Sequence, residues 1–290
     1  MNKSITIQGW YSKAHIFCLL VFKRSRNSSL RLTFSNLVFH NSGVNLRKVS
    51  CSNVAITNCR FLNCRDAFVI EQEEARGACT RSSLTITDTE FSHNRIAVFA
   101  LVFNEYFFVT ITRCIFHGKI GWFNATSKDK STKGAVYIKS TTHKNRVHVH
   151  VFIAESVFRE IGHKSNGFAL SFRVHDIFSI GNVSLSKTTF LHNENAIFAF
   201  GGFELQLTKV TIESTYGYAI TATGPAKITA RVVGINVFLD QCILRNNRAG
   251  LRMATVPCLA PGNCSASEQT LVVRNSLFLG AMRREVRAMQ

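Results

Sequence analysis

The chain has 290 residues, 46% of them hydrophobic and 24 of them Phe, a composition that can bury a large core of β-formers and excludes a disordered polymer. Lys and Arg outnumber Asp and Glu by 35 to 17, a formal charge of +18, which favours anionic partners such as acidic glycans, phosphate-bearing polymers or membrane surfaces. Because the charges are scattered, a solvated basic surface is the competing reading, and no nucleic acid is expected as partner; the apolar run from Ile16 to Phe22 is far shorter than the roughly 20 residues of a membrane span, so no span is expected.

From the N-terminus, Ile5 and Ile7 alternate with Thr6 as in a strand, and residues 1–29 read as an incomplete first coil or a cap. They lack the charged, apolar and small-residue order of a signal peptide, so a secreted protein would start upstream. Residues 30–280 then carry one pattern nine times. Its anchors are Phe39, Phe61, Phe91, Phe116, Phe158, Phe190, Ile212, Leu244 and Phe278. The positions seven and five before each anchor are apolar in every copy, as in Leu84 and Ile86 before Phe91. Two before it stands a mostly small residue, such as Cys59, Thr89, Cys114, Ser156 or Cys242.

Alternation of period two gives short strands with one buried face, and the intervening polar pairs, such as Ser35-Asn36 and Thr87-Asp88, read as tight corners. A third strand follows each anchor, as in Ala67 to Ile70, Ala97 to Ala100 and Gly134 to Ile138. Asn94, Asn193 and Asn247 fall three residues after their anchors, with Asn41 and Asn63 one position earlier, where Asn accepts a left-handed turn. Stacked on one another, these Asn are expected to form a ladder between coils. A single register held through nine units is not the signature of a sandwich or meander. The predicted fold is all-β, a right-handed parallel β-helix of about nine coils with three short strands per coil. Residues 281–290 form a C-terminal tail, and the stop soon after the ninth anchor suggests a piece of a longer solenoid.

The pattern, with its tails Cys59-Arg60-Phe61-Leu62-Asn63 and Cys242-Ile243-Leu244-Arg245-Asn246-Asn247, resembles the right-handed parallel β-helix repeat superfamily. That superfamily holds pectate lyases, polygalacturonases, phage tailspikes and secreted proteins of unassigned role, so the resemblance implies a fold far more narrowly than a function.

Long connections gather after the third strand, from residues 71–82 to 255–270, and a further insertion, Lys119 to Lys133, leaves from another corner. Insertions on one face of a solenoid often build its binding face. Lys128, Lys130, Lys133, Lys139, Lys144 and Arg146 are the expected contributors to an anion-binding patch, because few acids accompany them.

Of nine cysteines, Cys59, Cys114 and Cys242 hold the small inward position and are expected to be free and buried. Cys258 and Cys264 bracket a Pro- and Gly-containing loop and are expected to pair, and Cys51, Cys64 and Cys79 fit disulfides of an oxidising compartment. No CxxC pair or His spacing suggests a metal, and no cofactor is implied. Sequons at Asn2, Asn27, Asn124, Asn182 and Asn263 suit a secreted glycoprotein or an ectodomain.

Catalysis on polysaccharides needs carboxylates that converge. The nearest group is Asp88 and Glu90, with Arg60 and Arg113 on the neighbouring coils, and cross-coil salt bridges account for it more simply than catalysis. There is no Asp-Asp pair with a Gly-His-Gly element, and His148 and His150 point outward because Val149 and Val151 hold the inward register. The expected function is therefore a non-catalytic extracellular scaffold or binding protein, recognising acidic glycans. The alternative is a polysaccharide lyase or glycoside hydrolase acting on acidic polysaccharide.

Overall fold

A computed structural model describes residues 3–10, 13–23, 29–72, 80–103, 105–118, 134–140, 147–162, 167–174, 180–224, 226–227, 234–255, 265–266 and 269–280. Successive strands distribute over three parallel sheets, of ten, ten and nine strands among the described residues. The first sheet contains Ser29–Ser35, Cys51–Thr57, Arg81–Thr87 and their equivalents. The second contains Leu37–His40, Arg60–Leu62 and Glu90–Ser92, and the third Val44–Val49, Asp66–Gln72, Ile96–Val102 and Gly134–Ser140. Every third strand pairs in parallel with the one a coil earlier, which makes the chain a right-handed parallel β-helix.

The anchor column forms the centre of the core. Phe39, Phe61, Phe91, Phe116, Phe158 and Phe190 are fully buried, with successive ring centroids 4.4 to 5.0 Å apart and planes within 10° of parallel. That spacing follows from the roughly 4.8 Å between neighbouring strands. Ile212 and Leu244 continue the column, and Phe278 pairs in register with Leu244. Phe278 itself is 44% exposed, because no described coil follows it. The inward placement expected of this last Phe thus holds in register but not in burial.

The residues before the first anchor form a coil of their own. Lys3–Gln8, Ala14–Ile16 and Leu20–Lys23 pair with the strands of the next coil, and Ile7 stands opposite Phe34 and Ile16 opposite Phe39. The nine-fold pattern misses this coil because Ile7 to Ile16 takes nine steps where Phe34 to Phe39 takes five. A longer first corner hides the match.

Both corners use the left-handed region. Asn36, Asn58, Asp88, Arg113, Glu155, Lys187 and Gln241 have positive φ at the first corner, as do Asn41, Asn63, His93, Glu160 and His192 at the second. Asn and Asp tolerate this at little cost, whereas residues such as Arg113, Glu155 and Lys187 carry a penalty of roughly 1–2 kcal/mol each. Side chains fix the turn in compensation. The residue two before the anchor donates to the carbonyl two residues before itself, as in Thr89 to Thr87 (2.9 Å), Ser156 to Ala154 (2.8 Å) and Cys114 to Thr112 (3.3 Å). The same oxygens accept backbone N–H groups of the preceding coil, Ser156 from Cys114 at 3.1 Å and Ser276 from Cys242 at 3.0 Å. In seven of the nine copies this position supplies a hydroxyl or thiol, while Leu37 and Val210 fill it with apolar side chains.

Three residues after the anchor, a second set of side chains clamps neighbouring coils. Asn94 donates to the Phe61 carbonyl (2.9 Å) and accepts from the Cys64 N–H (2.7 Å). Asn193 and Asn247 repeat this on Phe158 and Ile161 and on Ile212 and Thr215. The contacts run between coils, but from Asn to backbone and not from Asn to Asn. Asn41 and Asn63, one position earlier, are instead exposed left-handed turn residues.

Cys64 corrects the expectation of a disulfide at that position. It is free and buried, holds the place of the clamping Asn, and has its sulfur 3.8 Å from the Phe39 carbonyl. Cys59, Cys114 and Cys242 are likewise free and buried, and Cys51 is disulfide-bonded. Cys79, Cys258 and Cys264 lie outside the described residues.

Candidate functional site

The corner carboxylates occur as two separate ion pairs. Arg60 Nε meets Glu90 Oε2 at 2.7 Å across the second sheet. Arg113 grips Asp88 with two bonds, Nε to Oδ1 at 2.7 Å and Nη2 to Oδ2 at 2.9 Å. The Arg113 guanidinium holds the Asp88 carboxyl below its ordinary range. Glu90 looks to the preceding coil and Asp88 to the following one, so each acid has its own arginine and the two do not converge on a shared point. His148 and His150 face outward, stacked on Tyr106 and Phe108 with centroids 5.0 and 4.9 Å apart. Asn182 is the one sequon among the described residues; it lies outward in Ile180–Ser186, with Nδ2 3.4 Å from His150 Nδ1. Among the described residues no three His, Cys, Asp or Glu side chains group as metal ligands, and no helix is long and apolar enough to cross a membrane.

Of the six residues expected to bind anions, Lys128, Lys130, Lys133, Lys144 and Arg146 lie outside the described residues. Lys139 is described, and it opens onto a cleft of about 340 Å³ on the outer face of the third sheet.

Parallel pairing builds this cleft from rows that cross four coils. Asn45, Val69, Phe99 and Tyr137 stand in register in one row, and Arg47, Glu71, Leu101 and Lys139 in the next. Each row takes one outward side chain per strand because alternate residues point into the core. Val69 and Tyr137 are buried and Phe99 is half-buried, its ring 5.4 Å from that of Tyr137, so together they form an apolar floor. Asp66 and Arg95 close one end: Nη2 of Arg95 lies 2.8 Å from both carboxylate oxygens. Arg47, Glu71 and Lys139 make no ion pair among the described residues. Further along the face, the Arg173 guanidinium lies 5.2 Å from the centre of the Phe198 ring.

An apolar floor with cations, a carboxylate and an amide around it suits a polar ligand that carries negative charge and one hydrophobic face. Apart from Lys139, these residues were not identified from sequence. The signal was present, since the third strands were recognised, and taking every second residue from Val69, Phe99 and Tyr137 lays out the row. Compared with protein-family models, with curated proteins and with solved structures, the chain finds no match.

Proposed function

We propose that this chain is a non-catalytic extracellular β-helix that recognises acidic glycans through the outer face of its third sheet. The observation that carries this reading is the pair of cations Arg47 and Lys139, without ion-pair partners among the described residues and set on either side of the Phe99 floor. The excess of basic residues, +18 over the chain, supports it by drawing polyanions to the surface. The likeness of the repeat to the pectate-lyase-like superfamily supports a carbohydrate ligand. The disulfide at Cys51 and the outward sequon at Asn182 support an oxidising, glycosylating compartment, in which Cys258 and Cys264 would pair.

Glu71 is the observation that favours the second reading, a polysaccharide lyase or hydrolase, because a cleft carboxylate without an ion-pair partner among the described residues is what such chemistry uses. Asp66, the other acid of the cleft, is taken up by Arg95.

Retention on heparin and on immobilised polyuronate tests the proposal. The wild type should be held at low salt and released as salt rises, and Arg47→Gln/Lys139→Gln should elute several-fold earlier with an unchanged melting temperature. No retention at low salt would overturn it, and release of shortened or unsaturated sugar products would establish the enzyme.

A further inference from the structure

The outer face of the first sheet, away from the cleft, brings two histidines together. Parallel register stacks Tyr106, His148 and Ile180 in one row and Phe108, His150 and Asn182 in the next. The His148 ring lies within 13° of the Tyr106 plane and the His150 ring within 7° of the Phe108 plane, and those two planes are within 13° of each other. The two imidazoles therefore stand side by side with nearly parallel planes. Two histidines separated by one residue are no metal motif on their own, but a strand turns both to one face. At about 3.3 Å per residue their Cα atoms are roughly 7 Å apart. Ring-nitrogen lone pairs lie in the ring plane, so a nitrogen of each can be aimed at the gap between the rings and not at the stacked aromatic rows. His148 makes no side-chain hydrogen bond among the described residues. The Asn182 side-chain nitrogen lies 3.4 Å from Nδ1 of His150. An amide offers an acceptor on the same fork, and with its oxygen turned to the ring it holds the tautomer protonated at Nδ1, whose Nε2 lone pair is free.

We propose that His148 and His150 form a two-histidine site for a divalent transition metal, copper(II) before zinc(II) or nickel(II), with water in the remaining positions. The site is independent of the acidic-glycan reading. Imidazole suits all three ions, affinity peaks at copper, and two nitrogens with water oxygens make the tetragonal set that copper(II) prefers. No third His, Cys, Asp or Glu groups with the pair among the described residues, so the ion keeps exchangeable positions. Burial, with the charge of His148 adding to it, lowers the pKa of His150, which favours the neutral ring that a metal requires. The Arg81 guanidinium lies 4.4 Å over the Phe108 ring, on the side of the preceding coil, so that ring stands between its charge and the ion. Asn182 acts as a positioning residue, through the ring of His150.

Copper(II) titrated into the full chain, with the exposed Cys18 alkylated beforehand, tests this by calorimetry and pulsed EPR. One equivalent should bind with nitrogen couplings from two imidazoles, zinc(II) and nickel(II) should bind more weakly, and magnesium should not compete. His148→Gln and His150→Gln should each lower the affinity by about tenfold or more. Asn182→Ala should weaken binding several-fold, whereas Asn182→Asp, which accepts from Nδ1–H, should restore it. His40→Gln, which breaks the other close imidazole pair, His15 and His40 at 2.9 Å, should leave the two-imidazole signal intact. Melting temperatures taken without metal separate loss of the site from loss of the fold. No copper binding, coupling to a single imidazole, or unchanged affinity in the His148 and His150 variants would overturn the proposal. So would loss of the signal in His40→Gln, which would put the ion on the first coil.

Discussion

The side chain of Asn94 donates to the carbonyl of Phe61 at 2.9 Å, so a polar residue of one coil secures the backbone beside the core anchor of the coil before. The same amide accepts the Cys64 N–H. Asn94→Ala would leave both backbone groups buried without partners, at about 1–3 kcal/mol for each group. The denaturation midpoint should fall accordingly. Asn63→Gly, at an exposed left-handed turn, should shift it little. Equal losses for the two variants would remove the distinction drawn between clamp and turn.

Phe91 is fully buried between Phe61 and Phe116, with centroids 4.9 Å away on either side. Phe91→Ala should cost about 3–5 kcal/mol, since rings on both sides prevent the cavity from collapsing. Phe278→Ala, at the half-open end of the column, should cost far less. Chemical denaturation of both variants checks the contrast.

Burial pushes the Cys64 and Cys114 thiols up to about 11, leaving on the order of one part in a thousand as thiolate near pH 8. Iodoacetamide should therefore label the exposed Cys18 in the folded protein and reach Cys59, Cys64, Cys114 and Cys242 only in denaturant. Peptide mapping separates these sites. Labelling of the four buried thiols at the rate of Cys18 would contradict the inward register.

Desolvation, with the charge of His148 adding to it, lowers the pKa of His150 from its ordinary 6.5. Between the folded and unfolded values the unfolded chain binds more protons, so stability rises with pH in that window. It is present in full above the unfolded value and is lost on acidification through it toward the folded value. The thermal stability of His150→Gln should therefore depend less steeply on pH between about 7 and 5 than that of the wild type. An identical slope would assign the acid sensitivity to other groups.

Positions that face the core were legible in the sequence because nine copies require the same chemistry of them: Leu84, Ile86 and Phe91 can be read without coordinates. The coil before Phe39 was legible only as an incomplete coil or a cap, because the spacing from Ile7 to Ile16 departs from the repeat while the pairing does not. Left-handed corner residues were only partly legible. Asn36 and Asn58 announce the conformation, but Arg113, Glu155 and Lys187 adopt it under compulsion from the strands on each side. Cys64 was misjudged although it stands three residues after Phe61, the offset of Asn94, Asn193 and Asn247, because a thiol there is equally suited to a disulfide. The cleft was least legible of all. It depends on which outward residues of four separate strands come into line, and outward positions carry no repeated constraint.

The clamps all point the same way along the chain. Ser42 acts on the carbonyl of Ile16, Cys64 on Phe39, Asn94 on Phe61, Asn193 on Phe158 and Asn247 on Ile212. A coil leaving the ribosome thus has a bare corner carbonyl, and the residue that covers it is translated one coil later. At these five junctions each new coil finishes the corner of its predecessor, whereas Ile161 and Thr215, at the same offset after Phe158 and Ile212, give no such bond. A chain halted partway would have its clamped corners closed behind it and the next one open at its growing tip.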